Sequence, residues 1–129
     1  MKLDIQPGLT FEAQMTVTTK DSARSYGSGL LEVFATPAMI SFMEQCSMLC
    51  IAGLLPENWG SVGTEIHIQH VRASLIGAHI YCKATVKKVD GRKIIFSVEA
   101  LEDDQIIGFG SHTRFIVNNQ KFMDKLLNP

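Results

Sequence analysis

The chain has 129 residues, of which 46% are hydrophobic and 19% charged, and its formal net charge is −1. This length suits one domain, residues 1–129, and the composition is typical of a soluble globular protein. No basic excess is available to neutralise phosphates, so we expect no nucleic-acid partner.

The apolar stretches and the cysteines bear on where the protein works. The longest uninterrupted apolar stretch, residues 48–55, is too short to cross a bilayer, and residues 1–7 lack the apolar core of a signal peptide. The three cysteines are an odd number and two lie within one predicted helix, so they indicate no disulfide framework. We therefore expect a cytoplasmic protein without a membrane partner.

The first half of the chain contains one strand and one long helix. Residues 11–19 alternate with period two and predict a strand, and the polar, Gly/Ser-rich residues 20–30 predict a loop. A helix follows over residues 36–53, with Thr36 as its N-cap and Pro37 at its first position. Gly53 and Pro56 mark its end.

The second half reads as four strands joined mostly by short turns. The strands are predicted over residues 61–71, 78–89, 93–101 and 106–117. Asp90-Gly91 is a two-residue hairpin signal, and Gly108 and Gly110 permit a bulge or a close backbone approach. A short terminal helix is expected over residues 120–127.

This order predicts an α+β fold in which one antiparallel five-stranded sheet wraps around one long central helix. The helix is apolar on nearly every side and needs more cover than one small sheet supplies. A homodimer, possibly a tetramer, would add that cover and protect the sheet edges by joining two sheets.

Glu44 stands in the middle of this apolar helix. Burying a carboxylate costs several kcal/mol unless it is paired, protonated or facing a cleft, so Glu44 is a candidate for chemistry. A structural ion pair, or a solvent-facing position beside Gln45, is the alternative interpretation.

Several segments together resemble the hot-dog-fold thioesterases, in the fluoroacetyl-CoA thioesterase-like branch. The resemblance covers residues 8–118, and it rests on the segments Val33-Phe34-Ala35-Thr36-Pro37-Ala38-Met39, Met43-Glu44, Ser61-Val62-Gly63-Thr64, Gln69-His70, Val89-Asp90-Gly91-Arg92 and Gly110-Ser111-His112-Thr113-Arg114-Phe115. It implies a hot-dog fold and an enzyme that hydrolyses a short or small acyl-CoA, without a cofactor, coenzyme A being part of the substrate. The fluoroacetyl preference is not implied, because residues 23–31 do not share its features.

The resemblance also implies a catalytic set of Thr36, Glu44 and His70. His70 would serve as general base and acid, Glu44 would orient the imidazole or activate water, and Thr36 would attack or position a water. Residues assigned to substrate binding are Phe34, Gly63, Thr64, Arg92 and Arg114; no metal site is expected. Eight residues of helix rise about 12 Å, so Thr36 and Glu44 cannot touch on a regular helix. Either Thr36 lies outside the helix and folds back, or the site is shared across a dimer; we expect the dimer.

Other interpretations of these residues stay open at this point. Thr36 could serve only as a helix cap, and His70, which shares its face with Ile66 and Ile68, could be a hydrogen-bonded core histidine. Arg92 flanks the hairpin and could meet CoA phosphates or simply face water. Rival functions are a hot-dog hydratase or dehydratase acting on an acyl thioester, and a non-catalytic acyl-CoA binding domain.

Overall fold

The computed structural model describes residues 3–129 and contains one five-stranded antiparallel sheet. The first two residues of the predicted domain 1–129 lie outside the described residues. The strands follow the spatial order β1-β3-β4-β5-β2 and comprise β1 (Thr10–Thr16), β2 (Trp59–His70), β3 (His79–Asp90), β4 (Lys93–Glu102) and β5 (Gln105–Asn118). The predicted α+β architecture is therefore confirmed, with strand ends shifted by a few residues.

Three helices accompany the sheet: α1 (Ala23–Tyr26), α2 (Thr36–Ala52) and α3 (Asn119–Leu127). The long helix α2 contacts all five strands, as expected of a central helix. Its buried face consists of Ala38, Met39, Phe42, Met43, Cys46, Ser47, Cys50 and Ile51. No helix within residues 3–129 is both long and apolar enough to cross a membrane.

Alternating strand residues supply the other side of the core. The inward-facing residues of β3 and β4 are almost completely buried, and they are Ile80, Cys82, Ala84, Val86, Ile94, Phe96, Val98 and Ala100. Strands with period-two patterning place one apolar row on the helix and leave the other row on the outer face. These buried rows form the surface of β3 and β4 against which α2 packs.

The start of α2 differs from the prediction. Ala35, in an extended conformation and without a side-chain cap, precedes the helix, while Thr36 and Pro37 are its first two residues. The Thr36 hydroxyl bonds His70 instead of capping the helix. The expected loop over residues 20–30 also contains a 3-10 turn, Thr19–Asp21, and the short helix α1, whose first turn is capped by the Ser22 hydroxyl.

Strand β2 carries a bulge where it passes the middle of α2. Its pairing with β5 shifts between Gly63 and Glu65, which leaves Thr64 as the extra residue. The close approach predicted at Gly110 is confirmed, because a β-carbon there would overlap the His67 carbonyl oxygen. The bulge bends β2, and Gly110 lets the backbones of β5 and β2 approach closely beside the helix.

Strands β2 and β1 form the two edges of the sheet. The side of α2 away from the core is not fully covered within one protomer: Met48 and Leu49 are exposed, and the Glu44 side chain is 41% exposed. A single protomer therefore leaves an apolar helix face and an open edge strand close to each other.

Candidate active site

The first residue of α2 and the last residue of β2 form the most suggestive polar contact in the protein. Thr36 Oγ1 lies 2.8 Å from His70 Nδ1. That distance is within the range of a nucleophile paired with its base. Because the Thr36 hydroxyl does not cap the helix, helix capping does not explain the threonine at this position.

The imidazole of His70 is half-buried and sits edge-on to the Phe34 ring. Burial lowers the pKa of His70, and the Arg72 backbone opposes part of this shift. His70 is therefore mainly neutral at pH 7, the form that can accept a proton. Among the described residues, no group hydrogen-bonds its buried Nε2 atom.

An open cavity of about 400 Å³ surrounds this pair. Its lining comes from the residues before α2, the first turn of α2 and the segment after β2, and includes Val33, Phe34, Ala35, Thr36, Pro37, His70, Val71 and Arg72. The first N–H groups of a helix have no helical partners, and no acidic residue stands in the first turn of α2. The helix start can therefore stabilise developing negative charge inside this cavity.

Glu44 lies in a second, smaller cavity of about 220 Å³, two turns further along α2. Gly63, Thr64, Glu65, Ile66 and His112 complete its lining. A β-carbon on Gly63 would come within 2.8 Å of Glu44 Oε2. The glycine therefore lets the carboxylate approach the strand closely, and the bulge at Thr64 lies directly beside it.

A buried histidine and a buried arginine stand behind Glu44. His112 Nε2 is 4.0 Å from Glu44 Oε2, and Arg114 Nη1 is 3.1 Å from His112 Nε2. Arg114 also donates from Nε to the Ser61 hydroxyl and from Nη2 to the Ser61 carbonyl, both at 2.8 Å. This places Arg114 beside the Glu44 cavity, and adds His112, which the sequence interpretation did not assign to the site.

The remaining candidates for substrate binding fall in different places. Phe34 is buried in the wall of the Thr36 cavity, and exposed Thr64 lines the Glu44 cavity while its hydroxyl donates to the Thr113 carbonyl. Arg92 lies over the Trp59 ring, 4.8 Å from its centroid, and lines neither cavity. Within one protomer Arg92 is thus apart from the other candidates.

The structure brings Thr36 and His70 together but not Glu44. The two cavities share no lining residue, so a protomer presents the pair and the carboxylate separately. This agrees with the helix spacing, which forbids direct contact between Thr36 and Glu44. That Thr36, His70 and Glu44 act together remains a prediction, because it requires two protomers to bring the cavities together.

Cys46 and Cys50, which could be suspected of binding a metal, belong to the core. Cys46 Sγ contacts the carbonyls of Phe11 and Cys82, and Cys50 Sγ contacts that of Leu9. Burial, with a smaller effect of Cys46, raises the pKa of Cys50 to about 11, which disfavours the thiolate a metal would need. The part of the chain that the structure describes contains no cluster of His, Cys, Asp or Glu suited to a metal.

Comparison with known proteins gives this geometry a family. Residues 17–120 match the family described as fluoroacetyl-CoA-specific thioesterase, FlK. This chain belongs to that family. A curated member, the fluoroacetyl-CoA thioesterase of Streptantibioticus cattleyicolor, is 34% identical over 95 residues, which are 74% of this chain and 68% of the relative.

Comparison with solved structures agrees with the assignment of this chain to the FlK family. A crystal structure of FlK has a TM-score of 0.89 at 29% identity and covers 95% of this chain and 96% of its own. An FlK variant solved with acetyl-CoA has a TM-score of 0.90 at 28% identity, covering 97% of this chain and all of its own, 100%. A hot-dog-like protein from Thermanaerovibrio acidaminovorans, at 20% identity and a TM-score of 0.87, covers 95% of this chain and 91% of its own, and shares the fold.

Family membership confirms the hot-dog fold and the thioesterase resemblance that the sequence indicated. It also confirms the class of activity, hydrolysis of an acyl-CoA thioester, over the hydratase and binding-domain alternatives. The substrate is accordingly a small molecule. The roles of individual residues, the assembly and the compartment stay predictions.

Proposed function

We propose that this FlK-family member is a homodimeric enzyme that hydrolyses small acyl-CoA thioesters, with Thr36 and His70 of one protomer facing Glu44 of its partner. The observation that carries the proposal is the 2.8 Å contact between Thr36 Oγ1 and His70 Nδ1 at a helix start. A hydroxyl, a neutral imidazole and free backbone N–H groups there are the parts that acyl transfer requires.

The edge strand β2 supports a shared site. Two copies of an edge strand can pair antiparallel about a two-fold axis, and each residue then faces the same partner residue in both copies. A register that sets Gly63 opposite His70 places this axis between Ile66 and His67. Each Glu44 cavity, which Gly63 lines, then meets the Thr36 cavity of the other copy.

The proposed chemistry uses these groups in sequence. His70 Nδ1 takes the proton from the Thr36 hydroxyl, or from a water that Thr36 positions, while the oxygen attacks the thioester carbonyl. N–H groups of the first turn of α2, at Thr36 and Ala38, hold the developing oxyanion. Protonated His70 then gives its proton to the departing CoA thiolate. If Thr36 is the nucleophile, a water that loses its proton to His70 hydrolyses the acyl-Thr36 ester, and His70 returns that proton to the Thr36 oxygen as the acid leaves. Glu44 orients the imidazole or activates this water.

Thioester hydrolysis by this route uses only protein groups and water, so we propose that no cofactor is needed. Coenzyme A takes part only as a portion of the substrate. For substrate binding we propose Phe34 beside Thr36, and Gly63, Thr64 and Arg114 beside Glu44. Arg92, which lines neither cavity, is proposed for the CoA phosphates. The three cysteines are free thiols, which is typical of a reducing compartment, and we propose a cytoplasmic location. A tetramer built from two such dimers is compatible with the same site.

The substrate class is tested by measuring thiol release from acyl-CoA thioesters that differ in length and polarity. We expect the highest kcat/KM for two- to four-carbon acyl groups, because the family and its curated member are named for a two-carbon acyl thioester, fluoroacetyl-CoA. Comparing acetyl-CoA with fluoroacetyl-CoA shows whether the substrate named for the relative is also preferred here. Loss of enoyl-CoA absorbance without thiol release, or preference for long chains, would contradict the proposal.

The hydroxyl of Thr36 is tested by Thr36→Ala, with Thr36→Ser as the matched control. We expect the alanine variant to lose at least about tenfold in kcat, since the attacking or positioning oxygen is gone, while serine retains most activity. A direct nucleophile predicts a larger loss than a water-positioning role, together with an acylated Thr36 in mass spectra of quenched reactions. Equal activity of the alanine variant and the parent protein would exclude both roles.

A further inference from the structure

His112 is not among the residues assigned above, yet both of its ring nitrogens have hydrogen-bond partners. It lies on β5, only 1% exposed, with the Phe96 ring stacked at 6.3 Å. Its Nδ1 is 2.8 Å from the Glu65 carbonyl oxygen, next to the bulge of β2. A carbonyl only accepts, so Nδ1 carries the proton.

The other ring nitrogen faces a group that can only donate. Arg114 Nη1 is 3.1 Å from His112 Nε2, and a guanidinium has no acceptor atom. Both contacts are therefore satisfied by one form of the ring, the neutral Nδ1–H tautomer. Burial lowers the pKa of His112; the Glu65 carbonyl opposes this, the Arg114 charge adds to it, and the Glu44 charge opposes it.

Protonation would break this arrangement. A protonated His112 would direct an N–H at Arg114, losing the hydrogen bond and bringing two cations together. The same N–H would draw in Glu44, whose Oε2 is 4.0 Å from Nε2. The charged groups facing the ring are thus Glu44 from α2 and Arg114 from β5. Strand β2 contributes the Glu65 carbonyl, while the exposed Glu65 carboxylate lies 3.5 Å from His67 Nε2.

We propose that His112 is a positioning residue for thioester hydrolysis: its unprotonated Nε2 holds the Arg114 guanidinium and keeps the Glu44 carboxylate free to face the reacting groups. The inference rests on the proposed role of Glu44. Arg114 is otherwise fixed from one side only, through two hydrogen bonds to Ser61. His112 supplies the third bond and so fixes the position of the guanidinium beside the Glu44 cavity.

Two amide substitutions separate the two ring nitrogens. In His112→Gln the side-chain oxygen reaches the Nε2 position and still accepts from Arg114. In His112→Asn the amide can reach only the Nδ1 position, where it donates to the Glu65 carbonyl and leaves Arg114 without its acceptor. We expect the asparagine variant to lose about tenfold or more in kcat with little change in KM, and the glutamine variant to stay within about threefold.

Three further readouts distinguish positioning from plain structural support. In a Glu44→Ala background, His112→Asn should cause no additional loss, because it acts through Glu44. His112→Gln removes the titratable ring. A fall in kcat at acidic pH that is caused by protonation of His112 should therefore be absent in this variant. His79→Asn, in an exposed histidine bonded to Gln14, is the matched control and should change neither kcat nor the pH profile.

Equal losses in the glutamine and asparagine variants, tracking a fall in Tm, would overturn the proposal. If neither variant folds, nitrogen NMR of the parent protein decides: we expect the unprotonated Nδ1–H tautomer at pH 7. A protonated ring at pH 7 or the opposite tautomer would overturn it. If Glu44→Ala keeps full turnover, the proposed function fails; if that variant is inactive but His112→Asn is normal, only the positioning role fails.

Discussion

Replacing Glu44 or His70 by alanine is expected to lower the rate of thioester hydrolysis at least about a hundredfold, the scale of lost general acid–base catalysis. His70 is the only imidazole within reach of the Thr36 hydroxyl among residues 3–129, and Glu44 is the carboxylate that α2 contributes to the cavity lined by Gly63 and His112. The measurement is kcat and KM for the best substrate of the acyl-CoA panel.

Both variants should fold, which makes the loss interpretable. The Glu44 side chain is 41% exposed, and alanine is a better helix former than glutamate. Among residues 3–129, the side chain that hydrogen-bonds the half-buried His70 ring is Thr36, and Thr36 is exposed, so its hydroxyl can bond water once the ring is removed. Glu57→Ala and His79→Ala, at exposed positions outside both cavities, are the controls; near-full turnover in Glu44→Ala and His70→Ala would refute the site.

Mixing two inactive variants is expected to restore activity if the site is shared between protomers. A dimer of one Glu44→Ala chain and one His70→Ala chain contains one site with both defects and one site with none. Random reassociation makes about half the dimers mixed, each with one of two sites intact, so about a quarter of the parent activity should return. Thiol release is measured before and after joint refolding or co-expression.

A third variant supplies the matched control for this experiment. Thr36 and His70 touch within one protomer, so a dimer of Thr36→Ala and His70→Ala chains has a defect in both sites. That mixture should stay inactive. Recovery in both mixtures, or in neither although mixed dimers form, would contradict the shared site.

The regular parts of the fold could be predicted from the sequence because they depend on local periodicity. Alternation from Ile80 to Val86 marks the buried row of β3, and Asp90-Gly91 marks the hairpin between β3 and β4. Burial of these rows is the main driving force, and its pattern is written in consecutive residues. The long helix was equally visible.

The site was only partly predictable, because its partners are distant in sequence. Nothing local shows that the Thr36 hydroxyl bonds His70, 34 residues away, rather than capping its own helix. The contact of His112 with the Glu65 carbonyl, 47 residues earlier, is likewise not marked by any pattern on β5. Arg92 was assigned to substrate binding from its place beside the hairpin. No local pattern shows that it contacts the Trp59 ring, which is distant in the sequence.

The extra residue in β2 has a consequence for which changes of length this protein can tolerate. Gly63 and His70 are seven residues apart, and an unbroken strand would turn them to opposite faces. Because Thr64 is unpaired, both project toward α2, Gly63 opposite Arg114 and His70 opposite Gly108. Without Thr64 the two residues would be six apart, which a regular strand places on one face, so this deletion should be tolerated far better than the insertion of one more residue between them.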